Sequence, residues 1–538
     1  MAEYDGIIIG AGPNGMTVAS YMAKAGLKIL LLDRRYEIGG GLATEQVTIP
    51  GFLHDTHAIY HMMVEYAPPI NDLELEKNYN LNWIYPELQV VMPFLDGKYL
   101  ALYNDPERSA ESIKQFSEKD AATFREFAQW SQEATDLFLA PASYVNPMAP
   151  LEQVAKLHKN PITKRADELT GMTPRQIVND LFENERVRAL FLYLACMWGL
   201  DYDLEGLGYL VPLFINRGWH FRLCQGGSHH VTHVLGKSIL ENGGRILTSQ
   251  IVKRIVIEDG EAKGVEMDDG TIIKANKFVV SSLNPHQTFL DLIGEQYLDP
   301  YLIKRIGNWK YTDWSLFTVH LALRERPMFK IAESAPELND ALIYVVGYEN
   351  DQDLVNHYEA IKKGKLIEAG FNCCFPSVHD PIRSMSGGEV GLISQEAPYN
   401  LENDGAEGWY KLRREHAERC KSVLSKYASN MTDKNIMWDY IASPLDIENK
   451  FPDMKQGCFK QGAYLPLQMG FYRPNEILSE HATPINKLYI CGACTHSGGL
   501  ITYGPGYCAA QKIAEDLNIE KWWKELEPVT RAREAGLF

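Results

Sequence analysis

The first residues of the chain alternate between apolar runs and a single glycine-rich turn. The run at 7–10 predicts a buried strand, the segment 13–26 has the apolar spacing of an amphipathic helix, and the run at 28–32 predicts a second buried strand. Two strands that are joined through a helix form a parallel βαβ unit. The pattern therefore predicts an α/β fold at the start of the chain.

The turn between the first strand and the helix carries the chemistry of this unit. Gly10 allows the tight turn, Gly12 lets the backbone approach a pyrophosphate, and Gly15 lets the helix pack closely on the strand. Asp33 ends the second strand, where a carboxylate accepts a hydrogen bond from a ribose hydroxyl. The free N–H groups of the helix that begins near Pro13 favour an anion. The unit is predicted to bind an ADP group.

The segment after Asp33 narrows the choice of dinucleotide. It carries a glycine cluster at 39–41, then Thr44, and a Pro-Gly-Phe element at 50–52 that is followed by Asp55. In this arrangement the chain resembles the flavoprotein superfamily of phytoene desaturases, carotenoid isomerases, retinol saturases and amine oxidases. The resemblance implies FAD. Arg34 and Arg35 are interpreted as solvated or pyrophosphate-side charges, because the Asp33 carboxylate would repel the 2′-phosphate of NADP.

The resemblance continues at residues 226–284. A helix is predicted to begin near Ser228, and short strands are joined at 259–260 and 269–270, where Asp-Gly pairs between apolar runs are strong hairpin signals. In the family this stretch is the second part of the FAD domain. The resemblance implies that the backbone at Val252 meets the adenine.

A third matching stretch lies at 486–517. It resembles the terminal motif of the family, in which a strand, a glycine (here Gly492), a His-Pro-Gly-Gly element and a turn lead into a helix. This chain departs from the pattern with Ser497 where many members have proline, and with Leu500 and Ile501 where many have Gly-Val. The resemblance implies that the backbone of Leu500 and Ile501 faces the flavin O2 and stabilises charge on the reduced ring.

Together, these stretches define an expected cofactor site and domain organisation. The expected FAD-binding residues are Gly10, Gly12, Pro13, Asn14, Gly15, Asp33, Arg34, Gly39, Gly40, Gly41, Leu42, Thr44, Val252, Gly492, Leu500 and Ile501. The fold class is α/β, with a discontinuous Rossmann-type FAD domain of residues 1–65, 220–287 and 481–538. Residues 66–219, which open on a predicted hairpin at 88–103, form a largely helical substrate or lid region, and residues 288–480 form a mixed α/β substrate region.

Composition restricts the classes of partner. The 538 residues, 45% of them hydrophobic, can bury a large core divided into two or three domains. A net charge of −17 argues against nucleic acid and against a strongly anionic membrane surface. No run of about 20 apolar residues predicts a membrane span. We expect a cytoplasmic protein. The apolar segment 189–221 is interpreted first as a buried packing helix. A weak peripheral contact with a membrane is the alternative for this segment.

Neither the cysteines nor the histidine cluster predicts a further centre. Nine cysteines without regular spacing favour reduced thiols, and the Cys491–Cys494 pair straddles the glycine that the flavin motif needs. His54, His57 and His61 supply fewer ligands than a metal requires, so no metal is expected.

The stretch 443–474 also resembles phytoene-dehydrogenase-like oxidoreductases, which favours that branch over the monoamine oxidases. Its members exchange a hydride between flavin N5 and a substrate carbon, and the protein supplies position, exclusion of water and a proton acceptor or donor. A group that titrates near neutrality suits the proton transfer. His496, inside the terminal motif, is the first candidate, followed by His57 and Tyr503.

The expected function is that of an FAD-dependent oxidoreductase acting on the CH–CH bonds of an apolar, unsaturated, isoprenoid-like small molecule. A flavin-requiring isomerase or hydratase without net redox turnover is the alternative, and an FAD-stabilised scaffold is a third possibility. The electron acceptor stays open between oxygen, a quinone and a protein, since a second nucleotide motif for NAD is absent from the sequence.

Overall fold

The computed structural model describes residues 3–384 and 387–538. Its strands, in chain order, are β1 (Glu3–Ile9), β2 (Ile29–Leu32), β3 (Thr44–Glu45), β4 (His54–Asp55), β5 (Trp83–Ile84), β6 (Leu88–Pro93), β7 (Tyr99–Tyr103), β8 (Leu223–Cys224), β9 (Arg245–Leu247), β10 (Val252–Glu258), β11 (Glu261–Met267), β12 (Ile272–Ser281), β13 (Trp314–Leu323), β14 (Ile343–Val346), β15 (Phe371–Cys374), β16 (Glu389–Pro398), β17 (Ile436–Ala442) and β18 (Leu488–Ile490).

Within residues 3–384 and 387–538, these strands form two seven-stranded sheets and the two-stranded sheets β3–β4 and β5–β8. The α-helices are α1 (Pro13–Lys24), α2 (Pro68–Asp72), α3 (Leu75–Tyr79), α4 (Pro106–Lys114), α5 (Glu118–Ala134), α6 (Pro150–Leu157), α7 (Pro161–Glu168), α8 (Pro174–Leu181), α9 (Glu185–Cys196), α10 (Val211–Arg217), α11 (His229–Glu241), α12 (Pro300–Gly307), α13 (Asp351–Lys362), α14 (Trp409–Tyr427), α15 (Pro444–Lys450), α16 (Gly504–Asp516) and α17 (Glu527–Glu534).

The first sheet is assembled from three separate parts of the chain. Its order is β10-β11-β12-β1-β2-β9, and β18 also pairs with β12. β1 runs parallel to both β2 and β12, and α1 packs against α11 and α16. Since a strand that is covered on both faces must be apolar throughout, Ile7 and Ile8 are both fully buried. The α/β fold class that the sequence predicts is confirmed.

The second sheet has the order β17-β13-β16-β15-β14-β6-β7. β13 and β16 pair in antiparallel register over ten residues, from Trp314 opposite Pro398 to Leu323 opposite Glu389. The hairpin β6–β7, which the sequence assigns to the helical region, joins this sheet because β6 pairs in parallel with β14. Residues 66–219 and 288–480 therefore share one sheet.

A buried ion-pair cluster joins β4 and β8 to the segment between β15 and β16. The Arg383 Nη1 atom lies 2.6 Å from Asp55 Oδ2 and its Nε lies 2.8 Å from Asp380 Oδ2, while Nη2 donates to the Cys224 carbonyl oxygen at 3.0 Å. All three charged side chains are almost completely excluded from solvent. Such charges are tolerated only when their hydrogen bonds are satisfied, so the cluster fixes β4 against the segment that precedes β16.

The apolar segment 189–221 forms the buried part of the helical layer. α9 and α10 are almost entirely buried in one core with α1 and α16, which is the packing role that the sequence favours. Within residues 3–384 and 387–538, every helix is too short or too polar to cross a bilayer.

Candidate cofactor and substrate site

A cavity of about 570 Å³ lies between the glycine turn of the first sheet and the face of the second sheet. One end is lined by the β1–α1 turn, Asp33 and the start of β10, and the other end by Leu316, Thr318, Leu392 and Ser394 of β13 and β16. The glycine turn of the first sheet and the inner face of the second sheet thus share one space.

The β1–α1 turn has the shape that a diphosphate requires. A Cβ atom on Gly12 would have no protein atom within 4 Å, so this residue opens directly onto the cavity. Gly10 has φ +95°, and a Cβ on Gly15 would lie 2.1 Å from the Gly10 carbonyl oxygen. Gly12 caps α1 without a side-chain hydrogen bond, which leaves the first-turn N–H groups available to an anion.

Asp33 is held against this turn by backbone hydrogen bonds. Its Oδ2 accepts from the Ala11 N–H at 2.7 Å and its Oδ1 accepts from the Arg35 N–H at 2.8 Å. Burial raises the pKa of Asp33, and the two N–H donors act in the opposite direction. The carboxylate lines the cavity beside Arg34 and Val252, where it fits the ribose of an ADP group.

The glycine loop after β2 approaches the turn from the other side. Gly40 has φ +53°, and a Cβ there would lie 3.2 Å from the Gly12 Cα. Gly40 and Gly41 line the cavity, as do Pro13 and Asn14. Side chains in this loop would narrow the space between the two backbones.

Four expected cofactor residues lie behind the cavity wall. A Cβ on Gly39 would lie 2.7 Å from the Leu42 carbonyl oxygen, and Leu42 is itself fully buried. The Thr44 hydroxyl donates to Asp55 Oδ1 at 2.5 Å. A Cβ on Gly492 would lie 2.5 Å from the Ser282 carbonyl oxygen. These residues shape the loops rather than line the space.

The terminal motif supplies a turn of unusual backbone conformation. Leu500 (φ 68°), Ile501 (φ 55°) and Tyr503 (φ 62°) are all left-handed, a conformation that costs a side-chain-bearing residue about 1–3 kcal/mol. Leu500 and Ile501 line the cavity just before α16 begins. The strain is concentrated at the segment for which the sequence indicates flavin contact.

The three proton-transfer candidates lie in three different places. His57 lines the large cavity, its ring edge packs on Phe451 at 4.8 Å between centroids, and its Nε2 lacks a partner among the described residues. Enclosure by the protein, with smaller effects from Lys450 and Arg35, lowers the pKa of His57 well below its ordinary value.

The other two candidates lie outside the large cavity. His496 lies in a second, smaller cavity, where its Nε2 donates to the Ala142 carbonyl oxygen at 2.7 Å and burial lowers its pKa to about 4. Tyr503 is buried and lines neither of these two cavities. Its hydroxyl lacks a partner within the described part of the chain, and burial raises its pKa.

Sequence reasoning missed the polar groups at the substrate end. The Tyr60 hydroxyl donates to Asn372 Oδ1 at 3.2 Å, and Asn372 Nδ2 donates to the Tyr193 hydroxyl at 2.7 Å. Trp198 Nε1 and Thr318 Oγ1 are buried without a partner in the ranges described. These residues come from insertions without a motif, and only the strand alternation of β13 and β15 could have suggested that some of them face inward.

The cysteines and the histidine cluster lie in the interior. All nine cysteines are buried and free, and burial raises the pKa of the Cys491 and Cys494 thiols, which disfavours thiolate chemistry. His54 is in β4 beside Thr48, and His61 contacts Ser228. Across 3–384 and 387–538, the structure has no group of three or more His, Cys, Asp or Glu residues arranged to hold a metal.

Comparisons with known proteins cover the nucleotide-binding unit and the whole chain. Residues 8–73 match the model of an NAD(P)-binding Rossmann-like domain. The chain is 37% identical over 550 aligned positions to a limonene dehydrogenase subunit of Castellaniella defragrans, and the alignment covers 100% of this chain and 99% of that protein. The neurosporene-forming phytoene desaturase of Rhodobacter capsulatus is 22% identical, with coverages of 95% and 94%.

The chain belongs to the phytoene desaturase-like flavoprotein family. It is an FAD-dependent oxidoreductase of the desaturase and amine oxidase type, and the open face of Gly12 beside Asp33 leaves room for the diphosphate and ribose of FAD. The fold is also that of cyclohexylamine oxidase from Brevibacterium oxydans, with a TM-score of 0.59 at 17% identity and coverages of 96% and 100%. As the sequence predicts, this family acts on CH–CH bonds.

Proposed function

We propose that this desaturase-like enzyme removes two hydrogens from a CH–CH bond of a small terpenoid hydrocarbon. The observation that carries the proposal is the cavity, mainly apolar in its lining, that the glycine turn shares with the inner face of the second sheet. The relative with 37% identity over its whole length is named as part of a limonene dehydrogenase, which supports a substrate of that chemical class. FAD, when bound, supplies the hydride acceptor.

The chain's own residues would hold FAD along the nucleotide end of the cavity. We assign the diphosphate to the open face of Gly12 and the first turn of α1, the ribose to Asp33, and the adenine to the start of β10 at Val252. The backbone of Leu500 and Ile501 is assigned to the flavin. In support, these residues line one continuous wall, and a Cβ on Gly12 would point into the space that they enclose.

The substrate would be held mainly by apolar contacts. Leu316 and Leu392 form part of the floor, and Met197 and Phe459 line the same space. The Asn372 side chain is already engaged by Tyr60 and Tyr193, so it does not demand a polar partner from the substrate. A wall that is mainly apolar suits a hydrocarbon, since burial of apolar surface drives its binding.

His57 is the proposed proton acceptor. Removal of two hydrogens as a hydride and a proton needs a base beside the substrate carbon. The lowered pKa of His57 keeps its imidazole neutral near pH 7 and makes it a weaker base than a group that titrates near neutrality, and its Nε2 makes no hydrogen bond to the described residues. His496 lines the second cavity, and Tyr503 lines neither cavity. We assign Tyr503 a positioning role at the terminal turn.

Product analysis tests this proposal against the isomerase or hydratase alternative. The holoenzyme is incubated with limonene and an artificial electron-accepting dye. The products are separated by gas chromatography, and their molecular masses are determined by mass spectrometry. We expect a product that is lighter than limonene by two hydrogen atoms and forms only with the dye present. A product of unchanged mass would indicate an isomerase, and a product heavier by one water would indicate a hydratase.

A further inference from the structure

Two buried cations lie beside the terminal turn, and the proposed dehydrogenation does not use them. The side chains of Arg473 and Lys460 are both completely excluded from solvent. Lys460 Nζ makes no hydrogen bond to the described residues, and none of the hydrogen-bond acceptors of Arg473 there is a carboxylate. Since buried charges of proteins are normally paired with an opposite charge, these two leave positive charge uncompensated in the interior.

Arg473 lies directly behind the wall of the large cavity. Its Nη2 and Nε atoms donate to the Ala493 carbonyl oxygen at 2.7 Å and 3.0 Å, and Ala493 lines that cavity. The remaining acceptors in the described ranges are the carbonyl oxygens of Lys460, Gly462 and Gln468 and the Met469 sulfur. These groups are neutral, so the guanidinium keeps its full charge although its donors are engaged.

Lys460 lies behind the next part of the same wall. A Cβ on Gly499, which lines the large cavity, would lie 3.3 Å from the Lys460 Cα. The ammonium group lies 4.6 Å from the ring centroids of Trp314 and Phe459, and a Cβ on Gly199 would lie 2.0 Å from Nζ. The glycine at 199 therefore leaves room for the ammonium group, which the aromatic faces stabilise only in part.

Both cations are charged near pH 7. The carboxyl group that acts on the Lys460 ammonium is that of Glu396, and burial raises the pKa of Glu396 to about 8, so this carboxyl is mainly neutral at pH 7. Burial lowers the pKa of Lys460 to about 8, which leaves its ammonium mainly protonated at the same pH. An arginine side chain does not lose its proton in proteins. The terminal turn is therefore backed by two positive charges.

We propose that Arg473 and Lys460 stabilise negative charge on the reduced flavin and so make the FAD of this protein easier to reduce. A hydride brings two electrons and one proton to the neutral ring, which leaves the ring with one negative charge. Fixed charges in a low-dielectric interior act on such a charge through a backbone wall, without contact. The inference rests on the proposed placement of the flavin at Leu500 and Ile501, because these residues line the same cavity as Ala493.

Redox titration of Lys460→Met tests the inference. The substitution removes the charge and keeps an unbranched side chain, and it breaks no hydrogen bond of Nζ to the described residues. The FAD-loaded protein is titrated anaerobically with dithionite beside reference dyes, and the midpoint potential is read from the visible flavin band. We expect the equilibrium constant for two-electron reduction to fall at least about 10-fold, which corresponds to about 30 mV. Stability to urea should not fall, because a desolvated charge without a partner is removed.

Two further variants separate charge from structure. Arg473→Lys keeps the positive charge and loses the planar set of donors, so it should lower stability to urea and leave the equilibrium constant for reduction within about threefold. Lys426→Met removes a charge that is 43% exposed and paired with Glu368 on the surface. It should leave the constant within about twofold, because solvent and salt screen such a charge.

The pattern across the three variants decides the inference. A potential that is unchanged in Lys460→Met, or that falls equally in Lys460→Met and Lys426→Met, would overturn it. The titration contains no hydrocarbon, so failure of limonene oxidation would contradict the proposed dehydrogenation and leave these potentials unaffected.

Discussion

At the scale of single residues, the proposed proton transfer depends on His57. His57→Gln removes the imidazole base from the large cavity while it keeps a polar side chain of similar reach. General-base catalysis contributes about 10²- to 10⁴-fold, so we expect the rate of flavin reduction by substrate to fall by about that factor. Stopped-flow absorbance measures it, and the FAD content of the variant should equal that of the wild type.

The matched control for this variant is His158→Gln. His158 is 43% exposed and pairs with Asp167 on the surface, away from both cavities. Its substitution should leave the reduction rate within about twofold. If substrate reduced the flavin of His57→Gln as fast as it reduces the flavin of this control, His57 would not be the base.

Gly12 provides a residue-level test of cofactor placement. A Cβ at this position would meet no protein atom within 4 Å and φ is −73°, so Gly12→Ala should fold with a loss of no more than about 1 kcal/mol. Its methyl group would occupy the space that we assign to the diphosphate. We expect FAD affinity to fall at least about 10-fold, measured by fluorescence titration of the apoprotein.

Two other glycines make this comparison specific. Gly307→Ala also meets open space but lies outside the large cavity, and it should bind FAD normally. Gly15→Ala would place its methyl group 2.1 Å from the Gly10 carbonyl oxygen and should destabilise the fold itself. Normal FAD affinity in Gly12→Ala would show that the diphosphate lies elsewhere.

At the scale of elements, the Arg383 cluster is expected to hold β4 against the segment that precedes β16. Arg383→Leu leaves the Asp55 and Asp380 carboxylates buried without their counter-charge. Breaking a buried pair in this way costs about 3–5 kcal/mol, and urea denaturation measures the loss. Arg414→Leu breaks a pair with Asp439 in which the arginine is 61% exposed and should cost less than about 1 kcal/mol. Similar losses in both variants would contradict the structural role of the cluster.

Elements with local signals were predictable from the sequence. The βαβ unit follows from the glycine spacing and the 3.6-residue apolar period, and the turns after β10 and β11 follow from Asp-Gly pairs, which adopt the required backbone without strain. The hairpin β6–β7 was also predictable. Its partner was not, because the pairing of Val90 with Ile343 joins segments about 250 residues apart and local periodicity carries no information on such contacts.

The same limit applies to the candidate site. The residues expected at the nucleotide end, such as Gly12 and Asp33, line the cavity because backbone geometry alone determines their place. The terminal motif indicated His496 as a partner of the flavin site, yet it lines the second cavity, since the turn between the two spaces directs neighbouring residues to opposite sides. Asn372 carried no motif, and only the completed second sheet brings it to Tyr60.

At the scale of the whole molecule, buried histidines should make stability depend on pH. Burial lowers the pKa of His61, His357 and His496 to about 4 and that of His481 to about 3. Between these values and 6.5, the unfolded chain binds protons that the folded chain does not, so stability falls as pH falls. Glu396, whose pKa burial raises to about 8, and Asp72, whose pKa burial raises to about 6, act in the opposite direction.

We expect the four histidines to prevail over Glu396 and Asp72. From pH 7 to pH 5 the net loss in the free energy of unfolding should be on the order of 4 kcal/mol. Urea denaturation at the two pH values, with FAD in excess, measures the difference. Equal or greater stability at pH 5 would mean that these imidazoles are protonated in the folded protein.

The central claim is that one cavity brings FAD and an apolar hydrocarbon together for oxidation. Anaerobic mixing of the oxidised holoenzyme with limonene, followed in the visible flavin band, tests it most directly, with the saturated analogue p-menthane as the control. The account predicts that limonene bleaches the band in a single turnover and that p-menthane does not. A flavin spectrum that stays oxidised in the presence of saturating limonene would contradict the proposed dehydrogenation.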